Sequence, residues 1–166
     1  MLAGATLARA ASVLDALRAR GLTVATAESC TGGLVAAALT AIPGSSDVVL
    51  AGLVTYSNSA KRDLLGVDEA TLRAVGAVSE EVARAMALGA AARTGAALAV
   101  STTGIAGPGG ATPGKPVGLV HLALARRGEA DALAHRRVVL PGDRGEVRAA
   151  TVDLALDLLA EAAAAR

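Results

Sequence analysis

Leu7, Ala10, Ala11, Leu14 and Leu17 fall on one helical face and Gly21 supplies a stop, so the spacing predicts an opening helix. An apolar run at 22–27 reads as a short buried strand. The stretch TGGLVAAALTAI (31–42) reads as a helix that ends before Pro43 and Gly44. DVVLAGLVTYS (47–57) is β-branched and apolar, the pattern of a central strand. A polar turn at 57–59 leads into a short helix near Lys61. Asp68 and Ser79 each stand where a helix start is capped, and the second of those helices, 80–94, is Ala-rich and ends at Gly95. ALAVST (97–102) is a third strand, followed by a Gly/Pro loop at 103–116. VGLVHLALA (117–125) and ALAHRRVVL (132–140), joined by the turn RRGEAD, make a fourth and a fifth. Asp143 and Glu146 form a capping-box pattern that opens a long final helix.

Helices alternate with strands in the first half of the chain and two strands lie adjacent in the second. The expected fold is α/β, a three-layer α/β/α sandwich with a mixed, mainly parallel sheet and one antiparallel hairpin. No repeat or linker interrupts it, so residues 1–166 read as a single domain. In such sheets ligands bind beyond the carboxyl ends of the strands. ESCTGG, YSNSAK and TTGIAGPGGATPGK each follow a predicted strand, which gathers three polar or Gly-rich segments into one composite site.

Composition narrows the chemistry. Tyr56 is the one aromatic residue, so the core is built from Leu, Val and Ala, and a stacking platform for nucleic acid is excluded. The net charge of +1 includes no basic block, which argues against bulk attraction to nucleic acid or anionic lipid. The single cysteine forms no internal disulfide, and apolar runs fall short of a membrane span. The expectation is a cytoplasmic protein that engages neither membrane nor nucleic acid. One Cys, two distant His and no clustered carboxylates do not make a zinc site.

GGATPGK (109–115) matches the first part of a phosphate-binding P-loop, but Pro116 replaces the required Ser or Thr and a strand follows instead of a helix. The glycines at 104, 107, 109 and 110 still let backbone N–H groups approach an anion, or simply make a long connection. In ESCTGG a strand, a sharp turn and a helix start present a side chain at the sheet edge and aim helix N–H groups at a ligand. The same residues also suit a plain helix cap. A nucleophile there needs activation. Cys30 would call for a histidine, and His121 and His135 both lie inside predicted strands. Ser29 can use a lysine, and Lys61 follows the strand that ends at Tyr56. Acting as base near neutral pH requires Lys61 to lose about 3 pKa units, roughly 4 kcal/mol of differential stabilisation. Tyr56 can fill core space, orient the lysine or donate to an oxyanion. Arg144, at the start of the last helix, is placed either for a phosphate or for an ion pair with Asp143 or Glu146.

TAESCTGG, VTYSNSAK with LLGV, GAVSEEVA, TTGIAGPGGATPGKPVG and PGDR occur in the order seen in the C-terminal domain of the CinA (competence/damage-inducible) family. The chain resembles that family over nearly its whole length, in the stand-alone form that lacks the larger N-terminal domain. The resemblance implies an amidohydrolase that converts nicotinamide mononucleotide to nicotinic acid mononucleotide and ammonia, without cofactor or metal, in nucleotide salvage or the damage response. It implies a Ser–Lys mechanism with Ser29, Lys61 and Tyr56 catalytic, and leans toward a homodimer. Thr31, Gly32, Gly33, Asn58, Thr103, Gly104, Gly107 and Arg144 would bind substrate, with Arg144 on the phosphate. Ser59 stands where the family often has Glu. The alternatives are a non-catalytic nucleotide- or phosphate-binding regulatory module and a Cys30 enzyme that uses His121.

Overall fold

The computed structural model describes residues 2–165. The elements run α1 (Gly4–Ala19), β1 (Val24–Glu28), α2 (Leu34–Thr40), β2 (Val49–Val54), α3 (Asn58–Leu65) and α4 (Glu69–Val75). They continue with α5 (Glu80–Thr94), β3 (Leu98–Gly104), β4 (Leu119–Arg126), β5 (Ala134–Val139) and α6 (Arg144–Ala164). The caps follow the sequence closely. Asp68 and Ser79 accept from the amides of Ala70 and Val82, and Asp143 and Glu146 form the capping box of α6.

The five strands lie in the order β2-β1-β3-β4-β5. β1 is parallel to β2 and β3, while β4 is antiparallel to β3 and β5. The sheet is therefore mixed, with β4 alone running against the other four strands. The Gly/Pro segment 105–118 carries no helix and returns the chain antiparallel beside β3, where a parallel neighbour would need a crossover. β2 is an edge strand, not a central one. Its alternate residues Leu50 and Val54 are 48% and 46% exposed. α2 is only seven residues long and covers that face chiefly at Gly52, where a Cβ would meet the Ala36 Cβ. A uniformly apolar run looks the same at a sheet's edge as at its centre.

Large and small residues alternate along the inner strands. Val24, Leu98, Val100, Leu122 and Leu124 face α1, α2 and α6, while Ala25, Ala27, Ala99, Ala123 and Ala125 face the other layer. That second layer is led by the Ala-rich α5, with α3 and α4 beside it. Methyl packed on methyl brings α5 close to the sheet. α5 also closes on α3, since a Cβ at Gly89 would lie 1.9 Å from the Leu65 carbonyl oxygen. Among the described residues no helix is long and apolar enough to cross a membrane.

Candidate active site

The parallel trio β2-β1-β3 ends at one edge of the sheet, and the chain registers its turns there by hydrogen bonds. The Ser29 amide donates to the Thr102 carbonyl at 2.9 Å, and the Thr55 amide donates to the Glu28 carbonyl at 2.8 Å. Strand alternation then sends neighbouring side chains to opposite faces. Glu28 lies under α2, and Ser29 turns toward the α3/α5 layer.

Glu28 is the residue that the sequence did not single out. Its buried carboxylate accepts from the Thr26 and Thr31 hydroxyls at 3.1 and 2.6 Å and from the amides of Gly33, Val35 and Ala36 at 2.8–3.0 Å. A carboxylate thus satisfies the N-terminus of α2. The helix N–H groups expected to be free for an oxyanion are occupied. α2 starts at Leu34 rather than at Thr31 because Gly32 and Gly33 take φ of 59° and 95° in the preceding turn. The signal in the sequence was an acid directly before a turn that feeds a helix.

Lys61 projects from α3 back under the end of β2. Its Nζ lies 2.9 Å from Ser29 Oγ and donates to the Thr55 carbonyl at 2.7 Å. The side chain is 1% exposed, and burial pushes the ammonium down to about 8, with the Cys30 thiol opposing weakly. Cys30 is the opposite case. It is buried in the core cluster that includes Val35 and Ala106, and burial first, with the Glu28 charge adding, pushes its thiol up to about 11. His121 is no partner for it. Its Nδ1 is paired with His135 Nε2 at 2.9 Å, it borders a different cleft, and burial with the neighbouring ring pushes it down to about 4.

Ser29, Lys61, Tyr56, Asn58, Thr103, Gly104 and Arg144 border one cavity of about 230 Å³, completed by Cys30, Ala77, Val78 and Ala106. Thr31, Gly32, Gly33 and Gly107 do not border it. Thr31 is fully buried and bonded to Glu28 and Thr102, and the Gly32 amide closes the turn onto the Ser29 carbonyl. Gly107 instead lends its carbonyl to Arg144 at 2.9 Å, and the second arm of that guanidinium donates to the Tyr56 hydroxyl at 2.8 Å. Neither Asp143 nor Glu146 pairs with Arg144, because both are consumed by the capping box. Tyr56 is 61% exposed, so it neither fills the core nor bonds Lys61. Lys115, the P-loop-like lysine, donates to the Val75 carbonyl and pins its loop. Among the described residues no cluster of three or more His, Cys, Asp or Glu is placed to hold a metal.

Residues 6–163 match the family model of the CinA C-terminal domain. The chain belongs to the CinA C-terminal domain family. A CinA-like protein of Chlorobium phaeovibrioides is 52% identical over 154 residues, 91% of this chain and 36% of the relative. One of Mycolicibacterium gilvum is 55% identical over 143 residues, 86% of this chain and 33% of the relative. The chain thus spans about a third of the length of these CinA-like relatives. Among solved structures, the competence/damage inducible protein CihA of Agrobacterium tumefaciens is 48% identical with a TM-score of 0.93, and the match covers 99% of each chain. A CinA superfamily protein of Escherichia coli is 35% identical with a TM-score of 0.88, covering 97% of this chain and 94% of that one. The α/β/α fold of this CinA domain is therefore that of its solved relatives.

Proposed function

We propose that the protein is an amidohydrolase that acts through Ser29 and Lys61 on the carboxamide of nicotinamide mononucleotide. The observation that carries the reading is the 2.9 Å contact between a lysine pushed down to about 8 and a serine hydroxyl that opens on a cavity. Neutral Lys61 takes the Ser29 proton as Oγ bonds to the carboxamide carbon. Collapse of the tetrahedral intermediate breaks the C–N bond, and Lys61 returns the proton to the departing ammonia. Water, deprotonated by the same lysine, then cleaves the acyl-enzyme to the carboxylate and restores Ser29.

The cavity is smaller than the usual range of about 300–1,000 Å³ for a whole ligand. It suits a pyridine carboxamide between Ala77, Val78 and Ala106. The ribose phosphate would extend past Arg144 into an adjoining cleft of about 690 Å³ bordered by Pro108, Val117 and Gly142. Arg144 has no carboxylate partner among the described residues and still has N–H groups for a phosphate. Thr103, held through the Ala77 carbonyl, and Asn58 complete the wall.

The test is ammonia release from nicotinamide mononucleotide. Ser29→Ala and Lys61→Ala lose several orders of magnitude. Cys30→Ala keeps its backbone amide and retains most of the activity. A folded wild type that releases no ammonia favours a non-catalytic nucleotide-binding module. Loss in Cys30→Ala with Ser29→Ala intact removes the Ser–Lys mechanism.

A further inference from the structure

With Gly33, Val35 and Ala36 committed to Glu28, and Gly32 and Leu34 to the Ser29 and Thr31 carbonyls, α2 has no amide in its first turn left for a substrate oxygen. The donors that remain in the turn 29–32 are the amides of Cys30 and Thr31, which bond no other described residue. Cys30 itself borders the cavity. A turn of this kind presents either N–H or C=O to a neighbour, according to the rotation of its central peptide, here between Cys30 and Thr31.

One side chain holds that rotation from behind. Arg148, one turn beyond Arg144 on α6, donates Nε–H to the Cys30 carbonyl at 3.2 Å and Nη2–H to the Thr31 carbonyl at 3.0 Å. In a trans peptide the N–H points opposite to its C=O. Drawing the Cys30 carbonyl toward Arg148 therefore turns the Thr31 amide away from Arg148. The guanidinium also polarises the Cys30–Thr31 peptide, which strengthens the Thr31 N–H as a donor, while the N–H of the second peptide it holds, that of Gly32, closes the turn onto the Ser29 carbonyl.

We propose that Arg148 is a positioning residue for the amidase reaction, an inference that rests on the function proposed above. It does not touch substrate. It locks the 29–32 turn so that the Thr31 amide, and not the Cys30 carbonyl, is turned toward the oxygen that becomes negative in the tetrahedral intermediate. Behind it a cleft of about 480 Å³, bordered by Leu2, Thr6, Leu34 and Val152, opens to solvent and admits a small cation in its place.

The experiment compares wild type, Arg148→Ala and Arg148→Lys for kcat and KM on nicotinamide mononucleotide, with melting temperatures alongside. In Arg148→Ala kcat falls about 100-fold, the scale of losing one oxyanion donor. KM and the pH of half-maximal rate stay put, since Lys61 is untouched. Guanidinium ion at non-denaturing concentration restores part of kcat in Arg148→Ala and does nothing for wild type. Arg148→Lys, which reaches one carbonyl, is intermediate and carries the kcat and KM test if the alanine variant does not fold.

An Arg148→Ala enzyme within about threefold of wild type overturns the proposal. So does a rise in KM with kcat unchanged, or a loss in a folded variant that neither guanidinium nor lysine relieves. Phosphonylation of Ser29 by a fluorophosphonate separates this from the substrate reading. In that reaction Oγ bonds phosphorus, fluoride leaves and Lys61 takes the proton. If wild type turns over no nucleotide, the substrate reading fails, yet slower labelling of Arg148→Ala still supports the positioning role and equal labelling sinks it.

Discussion

Lys61 Nζ and Ser29 Oγ meet at 2.9 Å although they come from different layers of the fold, one from α3 and one from the turn after β1. The same burial that brings the lysine to the serine depresses its proton affinity to about 8. Geometry and basicity thus share one cause, and both are open to measurement.

With Lys61 as base, kcat follows the fraction of neutral amine. It rises about tenfold per pH unit below pH 8 and levels off above it. Initial rates of ammonia release between pH 6 and pH 9.5 check this. A half-maximal rate near pH 6 would point to a different base.

Stability should move in the same window. Between pH 8 and 10.5 the unfolded chain keeps a proton on Lys61 that the folded chain has lost, so stability rises with pH there. Below pH 8 both states are protonated and the fold carries the whole burden, at most about 3 kcal/mol. Lys61→Met removes the charge and keeps the bulk. The variant is expected to be inactive yet to melt above wild type at pH 7, with the gap narrowing toward pH 10 in thermal scans.

Arg144→Ala is expected to raise KM for nicotinamide mononucleotide more than it lowers kcat, because the phosphate loses its cation while the Ser29–Lys61 contact is untouched. Nicotinamide riboside, which lacks the phosphate, should be a poor substrate for wild type and indifferent to the substitution. Equal turnover of riboside and mononucleotide by wild type would remove Arg144 from phosphate recognition.

Glu28→Gln tests the buried carboxylate. An amide turns an NH₂ toward the amides of Gly33 and Val35 or toward that of Ala36, whichever way it is flipped. The loss should be about 3 kcal/mol or more, or roughly 6–12 °C in Tm for a chain of this size. A melting temperature unchanged by Glu28→Gln would mean that the N-terminus of α2 finds other partners.

Much of this fold was written locally. Ser79, Asp143 and Glu146 announced their helices because a cap depends on residues three apart, and Gly95 marked a stop for the same reason. That Ser29 and Lys61 could meet was legible because both follow strands that end at one edge, but the residues alone left a plain helix cap as open as an active site, and the family resemblance selected the pair. What escaped the sequence was non-local. The edge position of β2 depends on which strand lies next to which, and apolar residues on a half-covered face look like core. Glu28 and Arg148 were missed because most of their partners are backbone groups of the turn after β1 and the start of α2, and a backbone carries no sequence signature. The ion pair offered for Arg144 does not form, because Asp143 is taken by the amides of Gly145 and Glu146.

The reach between base and nucleophile is set partly by a residue with no side chain. Gly89 lets α5 come against the Leu65 carbonyl, one turn along α3 from Lys61. A single added methyl there would press on that last turn of the helix. The amine one turn away would shift from Ser29 while every residue of the cavity kept its identity. Disabling this protein does not require a change at its cavity, and a survey of variants confined to cavity residues would overlook the position that sets their spacing.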